Sequence, residues 1–193
     1  MGLGEPGLFP SDRDGHVKRV VLITGATGGL GRVLVRTFSA KGWAVAAAGH
    51  ASPPGDLPPG AEGFGVELTR ASSVAALMDA VGERMGRLDA LIHSAGITAD
   101  ALLARLSVEA WERCLSVNLR SAWLLGRAAL PVMARQQEGH LLFIGSHASR
   151  GSAGQTAYAA AKAGLIGLME SMAREGAPDN VRVNAVWPGV MST

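Results

Sequence analysis

Tyr158 and Lys162 stand four residues apart in the alanine-rich run AYAAAK, where a helix would place both side chains on one face. A phenol titrates near about pH 10 in water, which makes it a poor proton donor or acceptor at neutral pH. A neighbouring ammonium favours the phenolate form, so this pair could exchange a proton with the oxygen of a substrate. The alternative is an exposed tyrosine and lysine on an ordinary surface helix.

A serine upstream of this pair could serve the same chemistry. Ser146 follows the apolar run 141–144, and the end of a strand there would aim its hydroxyl at the same spot. The alternative for Ser146 is a strand-end hydroxyl without a ligand, and Ser149 and Ser152 are interpreted in that way or as loop residues.

Composition bounds the class of protein. The chain has 193 residues, 48% hydrophobic and 18% charged, which indicates a folded core and excludes general disorder. Its net charge of +2 is scattered, so we expect no nucleic-acid partner. Because no apolar run approaches the roughly 20 residues that span a bilayer, we expect no membrane segment. Cys114 is the only cysteine, which excludes an intrachain disulfide and fits a cytoplasmic location.

Apolar runs and amphipathic segments alternate along the chain, which predicts an α/β protein with a doubly wound parallel sheet. Helical spacing follows residue 30 and recurs in three later segments. The predicted strands are 17–24, 43–48, 64–68, 88–94, 141–144 and 181–186, and the later helices are 72–85, 107–133 and 155–175. In such a sheet, ligands bind beyond the carboxyl ends of the strands, where the strand order reverses. Polar and glycine-rich turns follow four of the strands, so one edge should hold the site.

The turn after the first strand reads TGATGGLG from Thr24 onward. Gly25 permits a tight exit from the strand, Gly29 lets the backbone approach a pyrophosphate, and Gly31 permits close packing of helix and strand. Thr27 can add a hydroxyl to a phosphate. A glycine-rich turn between a strand and an amphipathic helix therefore indicates a dinucleotide site.

These motifs in this order resemble the short-chain dehydrogenase/reductases. The resemblance rests on the glycine turn, Ser94-Ala95-Gly96, a helical Asn118, Ser146, the Y-x-x-x-K pair and Pro188-Gly189. It runs from about residue 19 to residue 193, and segments 96–106 and 154–168 are similar to the 3-oxoacyl-acyl-carrier-protein reductase and acetoacetyl-CoA reductase group. It implies a Rossmann-like sheet and a hydride transfer with a nicotinamide cofactor.

The resemblance also implies a role for each catalytic residue. Tyr158 would donate a proton to a ketone oxygen, while Lys162 would assist it and hold the nicotinamide ribose. Ser146 would hydrogen-bond the substrate oxygen, and Asn118 would anchor a water that relays protons to Lys162. The alternative for Asn118 is a local hydrogen bond within its helix. Arg32, His140 and His147 are interpreted as surface or neighbouring groups.

The resemblance implies a cofactor site along the same edge. Its residues would be Gly25, Thr27, Gly29, Leu30, Gly31, His50, Glu67, Leu68, Ala95, Gly96, Tyr158, Lys162, Pro188, Gly189, Met191 and Thr193. The second strand ends at Gly49-His50 without the carboxylate that would bind the ribose diol of NAD, so we expect NADP. A protonated His50 could attract the extra phosphate, although Gly28 stands where the family often has an arginine.

Three departures from the family pattern qualify this interpretation. His93 replaces an asparagine that braces the central strands, and we expect its ring to supply the same hydrogen bonds without binding a metal. The spacing from Ser146 to Tyr158 is one residue shorter than is common in the most similar group. The acidic residue after the third strand is Glu67 instead of an aspartate.

The family's substrate-covering segment and seventh strand do not occur in these 193 residues. We therefore expect a flexible N-terminal extension, 1–16, and a six-stranded dinucleotide-binding domain, 17–193, that is truncated relative to the family. A homodimer would form through helices 107–133 and 155–175, whose second helix carries Leu165, Leu168 and Met172. A tetramer is expected only if a tail follows.

The function expected from these observations is reduction of a 3-oxoacyl thioester by NADPH. One alternative keeps the mechanism but changes the substrate to a sugar, steroid or quinone-like ketone. Another is a pseudo-enzyme that binds the cofactor and acts through a partner.

Overall fold

The computed structural model describes residues 18–189, which form a six-stranded parallel sheet flanked by helices. The strands are β1 (Val20–Thr24), β2 (Ala44–His50), β3 (Ala61–Val66), β4 (Ala90–His93), β5 (Gly139–Ile144) and β6 (Val181–Val186). Their order across the sheet is β3-β2-β1-β4-β5-β6, and every neighbouring pair is parallel. The predicted Rossmann-like, doubly wound sheet is confirmed. The strand order reverses between β1 and β4, where this fold binds its ligands.

Five α-helices lie between these strands within residues 18–189. They are α1 (Gly29–Ala40), α2 (Ala71–Met85), α3 (Val108–Leu115), α4 (Ser121–Gln136) and α5 (Thr156–Gly176). Short 3₁₀ turns occupy Leu103–Arg105, His147–Arg150 and Ala177–Asp179. Between residues 18 and 189, no helix combines the length and apolarity needed to cross a bilayer.

The core lies on both faces of the sheet, because alternate side chains of each central strand point to opposite sides. Val20 and Leu22 of β1 pack with α2, α4 and α5 on one face, while Val21 and Ile23 pack with α1 on the other. All five β1 residues are buried. This two-sided burial explains the continuous apolar run of the first strand.

The observed ends of the strands differ in places from those predicted by the local sequence pattern. β6 has the bounds expected, and the other strands differ from expectation by one to three residues at an end. The largest shift is in β3, which spans Ala61–Val66 instead of 64–68. Its register against β2 pairs Val45 with Ala61 and His50 with Val66. This pairing overrides the weak strand propensity of Glu62 and the glycines around Phe64.

The helix expected over 107–133 is wrong in detail. Ser107 caps α3, as its Oγ accepts a hydrogen bond from the amide of Ala110 at 3.2 Å. A π-helical segment, Ser116–Arg120, then separates α3 from α4. α4 continues five residues beyond Pro131, to Gln136. Such π-helical turns are frequent at functional sites, and this one contains Asn118.

His93 joins the end of β4 to its neighbours as expected from the sequence. Its Nδ1 lies 2.8 Å from Thr24 Oγ1 of β1, and its Nε2 lies 3.0 Å from Ser121 Oγ of α4. Ser121 Oγ donates its proton to the Val117 carbonyl at 2.5 Å, so His93 Nε2–H donates to Ser121 and Nδ1 accepts from Thr24. Burial of the ring, helped by the charge of Lys162, lowers the pKa of His93 to about 3. The His93 ring that bridges Thr24 and Ser121 is therefore neutral at physiological pH.

This burial makes His93 a source of acid sensitivity. Between about pH 6.5 and 3 the unfolded chain binds a proton at this histidine and the folded chain does not, so stability falls as the pH falls. Replacing His93 with Asn removes this titration. Between neutral pH and pH 5, we expect the wild type to lose about 2 kcal/mol more of its free energy of unfolding than His93→Asn does. Urea unfolding at the two pH values measures this difference.

The matched control is His140→Asn, because the side chain of His140 is exposed. This control should lose stability with acid in step with the wild type. Equal pH dependence in the wild type and His93→Asn would show that His93 is not buried in its neutral form.

Candidate active site

The glycine turn holds the end of β1 against the segment that follows β4. Gly25 has a φ of +70°, and a methyl group on it would lie 2.7 Å from the Cα of Ala95. A side chain at this position would be strained by the dihedral angle and blocked by the backbone. A methyl group on Gly31 would collide with the Gly25 carbonyl, so α1 packs directly onto the turn.

The N-terminus of α1 opens into the cleft above this turn. Gly28 caps the helix without a side-chain hydrogen bond, and the first turn of α1 has no acidic residue. Gly28 and Gly29 are exposed and line the cleft, so the positive end of the helix dipole lies beside it. The Gly28 amide itself donates to the Gly25 carbonyl at 3.0 Å, which closes the turn. This arrangement fits the pyrophosphate of a dinucleotide.

A cavity of about 250 Å3 lies on the β2 side of the turn. Seven of the predicted cofactor residues line it, namely Gly25, Thr27, His50, Glu67, Leu68, Ala95 and Gly96. The Glu67 carboxylate accepts hydrogen bonds from the Thr69 amide at 3.2 Å and the Thr69 hydroxyl at 2.7 Å, which lower its pKa. It also lies 3.8 Å from His50 Nε2. The carboxylate in this cavity is thus already engaged by its own neighbours.

A second cavity lies on the β5 side of the turn and contains the residues that could do proton chemistry. It is lined by Ser146, Tyr158 and Lys162 together with Gly29, Leu30, Gly31, Pro188 and Gly189. Gly25 and Gly96 line both cavities, so one continuous cleft runs along the sheet edge. Met191 and Thr193, also predicted for the cofactor site, lie outside the described residues.

Ser146 is placed by the end of β5 and the short 3₁₀ turn that it caps. Its Oγ accepts a hydrogen bond from the Ala148 amide at 3.1 Å. Because the hydroxyl accepts there, its own proton remains available to an oxygen in the cleft.

Lys162 carries a buried charge on α5. Its side chain is 3% exposed, and its Nζ donates to the Ile144 carbonyl at 2.6 Å. The Nζ also lies 5.5 Å from the centroid of the Tyr158 ring, which confirms that α5 brings the two side chains together. Burial lowers the pKa of Lys162 to about 8. Among residues 18–189 no carboxylate forms a salt bridge with it, and such uncompensated burial of a charge is typical of functional sites.

Asn118 is fully buried, and only the nitrogen of its side-chain amide has hydrogen-bond partners among the described residues. Its Nδ2 donates to the carbonyls of Ile97 at 2.8 Å and Cys114 at 2.9 Å, whereas its Oδ1 has no partner in the part of the chain that is described. A methyl group on Gly96 would lie 2.7 Å from this Oδ1 and 3.7 Å from Lys162 Nζ. The free acceptor and the ammonium therefore both lie beside Gly96, where a water molecule would satisfy the acceptor.

Sequence reasoning missed the support behind Ser146. A methyl group on Gly145 would lie 2.9 Å from Nε1 of Trp187, so the indole packs on the backbone of Gly145. Gly145 also donates its amide to the Val186 carbonyl at 2.8 Å. The local sequence does not predict this contact, because Gly145 and Trp187 follow β5 and β6, which are far apart in the sequence and become neighbours only in the folded sheet. A tryptophan directly before Pro188-Gly189 was the available signal.

A doubly wound sheet with a glycine turn and a serine, tyrosine and lysine in the same cleft defines an NAD(P)-dependent oxidoreductase. The family model described as short chain dehydrogenase matches residues 19–193. The chain therefore belongs to the short-chain dehydrogenase/reductase family.

Individual relatives agree with this assignment. The chain is 36% identical over 181 residues to the 3-oxoacyl-[acyl-carrier-protein] reductase of Vibrio cholerae, covering 91% of this chain and 74% of the relative. It is 35% identical over 184 residues to the enzyme of that name from Thermotoga maritima, covering 91% and 75%. Among solved structures, the sorbitol-6-phosphate 2-dehydrogenase of Erwinia amylovora superposes with a TM-score of 0.79 at 29% identity, covering 86% of this chain and 70% of the other.

The buried ammonium of Lys162 should cost stability. At pH values below about 8 it is charged in both the folded and unfolded chains, and the folded chain bears the desolvation penalty. Between about pH 8 and 10.5 the folded chain loses the proton first, so stability rises with pH over that window. We expect Lys162→Met to raise the free energy of unfolding by about 1–3 kcal/mol at neutral pH, less at pH 10.

Denaturant unfolding at both pH values measures this effect. Lys41→Met is the matched control, since Lys41 is an exposed lysine at the end of α1. A Lys162→Met chain that is less stable than the wild type at neutral pH would show that the ammonium stabilises the fold.

Proposed function

We propose that this protein reduces a ketone with NADPH and that its substrate is a 3-oxoacyl thioester. The observation that carries the proposal is the single cavity in which Ser146, Tyr158 and Lys162 lie beside the N-terminus of α1. The relatives named as 3-oxoacyl-[acyl-carrier-protein] reductases support the substrate class.

The residues of the cleft suit the proton side of this reaction, and a bound nicotinamide would supply the hydride. Ser146, whose hydroxyl proton is free, donates a hydrogen bond to the ketone oxygen. Tyr158 then gives its proton to that oxygen as negative charge develops there. The ammonium of Lys162 stabilises the phenolate left behind. Lys162 then gives a proton to the phenolate, and a water held by Asn118 Oδ1 returns a proton to Lys162, which restores the starting state.

NADPH is favoured by the charges at the end of β2. The strand ends at Gly49 and His50, so this position offers no carboxylate for the ribose diol of NAD. The nearest acid in the cavity is Glu67, and its carboxylate is held by Thr69. The end of β2 itself therefore adds no carboxylate that would repel an added phosphate on the ribose.

A second candidate is a sugar phosphate or another small carbonyl, with the same residues in the same roles. It is favoured by the similarity of the fold to a sorbitol-6-phosphate 2-dehydrogenase. A pseudo-enzyme that only binds the cofactor is the remaining alternative. A panel of ketone substrates separates these three candidates. The two reductase candidates differ in which ketone is turned over fastest, and the pseudo-enzyme would turn over none of them.

We also propose a homodimer through the helices over 107–133 and 155–175. A wide, largely apolar groove runs between α5 and the end of α3, the π-helical segment and the start of α4. It is lined in part by Leu119, Trp123 and Leu168. Trp123 is 43% exposed and Ile166 is 40% exposed. Exposed apolar area of this kind is typical of an interface.

We further propose a cytoplasmic location, since the single cysteine of the sequence suits a reducing compartment.

The catalytic part of the proposal is tested by Tyr158→Phe, which removes the hydroxyl and keeps the ring. We expect the variant to lose at least about a hundredfold in the rate of NADPH oxidation with acetoacetyl-CoA, the usual contribution of a positioned acid. Its affinity for NADPH should stay within about threefold of the wild type, which shows that the site still forms. Wild-type turnover equal to that of Tyr158→Phe would contradict the assignment.

The dimer is tested by multi-angle light scattering. The 193-residue chain should scatter as a dimer, and Trp123→Glu should scatter as a monomer because it places a charge in the groove. Val33→Glu is the control, since Val33 is 60% exposed on α1. A wild-type monomer, or a Trp123→Glu variant that remains dimeric, would overturn this interface.

A further inference from the structure

A smaller cavity of about 170 Å3 lies beside the cleft, between α1 and segment 51–60, which joins β2 to β3. Thr27 lines both this cavity and the cavity that holds His50. The two spaces therefore meet at the glycine turn, on the side of the cleft where β2 ends. A group attached to a ligand in the cleft could reach the smaller cavity at this point.

Two arginines of α1 line the smaller cavity, which we call the arginine pocket. Arg32, Val35 and Arg36 have the spacing of one helix face. Val35 is 2% exposed and fixes this face against the core, and the exposed Arg32 and Arg36 lie one helical turn apart where they line the pocket. The sequence alone suggested that Arg32 is a surface group.

The charge of the arginine pocket is not balanced by an ion pair. Within residues 18–189, neither Arg32 nor Arg36 comes within 4.0 Å of a carboxylate oxygen. Asp56 also lines the pocket, but it forms no salt bridge with either arginine. Two guanidinium groups and one carboxylate leave an excess of positive charge. This excess attracts an anion to the pocket and gives no such attraction to a neutral group.

The opposite wall of the arginine pocket is fixed before any ligand binds. Pro54 and Pro58 line it, and their rings restrict the backbone. Leu57 packs against the core on the α1 face of the sheet. Ser39 of α1 donates its hydroxyl proton to the Pro59 carbonyl at 2.7 Å, which ties the segment to the helix. A preorganised wall lowers the conformational entropy that binding must overcome.

We propose that the arginine pocket binds a phosphomonoester on the ribose of the dinucleotide, and that Arg32 and Arg36 thereby select NADPH over NADH. The planar guanidinium donates paired hydrogen bonds to phosphate oxygens, and two of them match a dianion. This inference rests on the proposed function, because it requires a dinucleotide in the cleft. It gives α1 two roles, with its N-terminus facing the pyrophosphate and its flank facing the ribose phosphate.

Binding measurements test the arginine pocket without any turnover. Isothermal titration calorimetry would compare NADPH with NADH, and 2′,5′-ADP with 5′-AMP, for the wild type, Arg32→Met and Arg36→Met. Methionine keeps the apolar stem and removes the charge. Each variant should weaken NADPH and 2′,5′-ADP about tenfold, the effect of losing one charge-assisted contact. Affinity for NADH and 5′-AMP should stay within about twofold, which also shows that the variants are folded.

Arg182→Met is the matched control, because Arg182 is exposed on β6 at the opposite edge of the sheet. It should leave all four affinities unchanged. Variants of Arg32 and Arg36 that weaken all four ligands equally would show a general charge effect, and variants that weaken none would show no contact. Either result would overturn the arginine pocket.

The failure of this inference and of the proposed function can be told apart. A wild type that binds NADPH more tightly than NADH, with no change in the arginine variants, overturns only the pocket. A wild type that prefers NADH overturns the pocket and the choice of cofactor, and leaves ketone reduction to the Tyr158→Phe assay. Loss of NADPH affinity in the variants, without turnover of any ketone, supports the pocket and contradicts the reductase.

Discussion

The hydrogen bond from the Lys162 ammonium to the Ile144 carbonyl joins the chemistry of the site to the fold. It fixes α5 to the end of β5, one residue away from Gly145 and two from Ser146. Burying an ammonium against one neutral carbonyl costs free energy, so the rest of the fold must supply the stability. β5 supplies it because it pairs with β4 on one side and β6 on the other, which leaves its last carbonyl in a defined place.

The same constraint explains the groups around the lysine. The Asn118 oxygen, unpartnered among the described residues, and the Lys162 ammonium both lie beside Gly96, which has no side chain to fill the space next to them. His93 lies behind them as a neutral ring, because burial disfavours its charged form and the ammonium of Lys162 would also repel a second positive charge. The polar groups near Lys162 are therefore arranged as acceptors or as neutral bridges. This is the electrostatic environment in which a tyrosine and a lysine can exchange protons with a substrate.

Much of the fold follows from the sequence because the central strands are buried on both faces and read as apolar runs between glycine-rich turns. The bounds of β6 and the residues that meet at the sheet edge could be predicted in this way. The π-helical segment around Asn118 could not, since the Asn118 side chain that it positions donates to the Ile97 carbonyl of a distant segment. The extent of β3 was also missed, because its pairing with β2 outweighs its local composition. The Trp187 contact and the arginine pocket likewise form only when separate segments meet.

The central claim is that this cleft transfers hydride to a ketone while Tyr158 supplies the proton. Mass spectrometry of the product tests it most directly, with acetoacetyl-CoA and NADPH that carries deuterium at both C4 hydrogens of the nicotinamide. The account predicts 3-hydroxybutyryl-CoA with one deuterium on the carbinol carbon from the wild type, and at most a trace from Tyr158→Phe. A product without deuterium, or equal labelling by the two proteins, would contradict it.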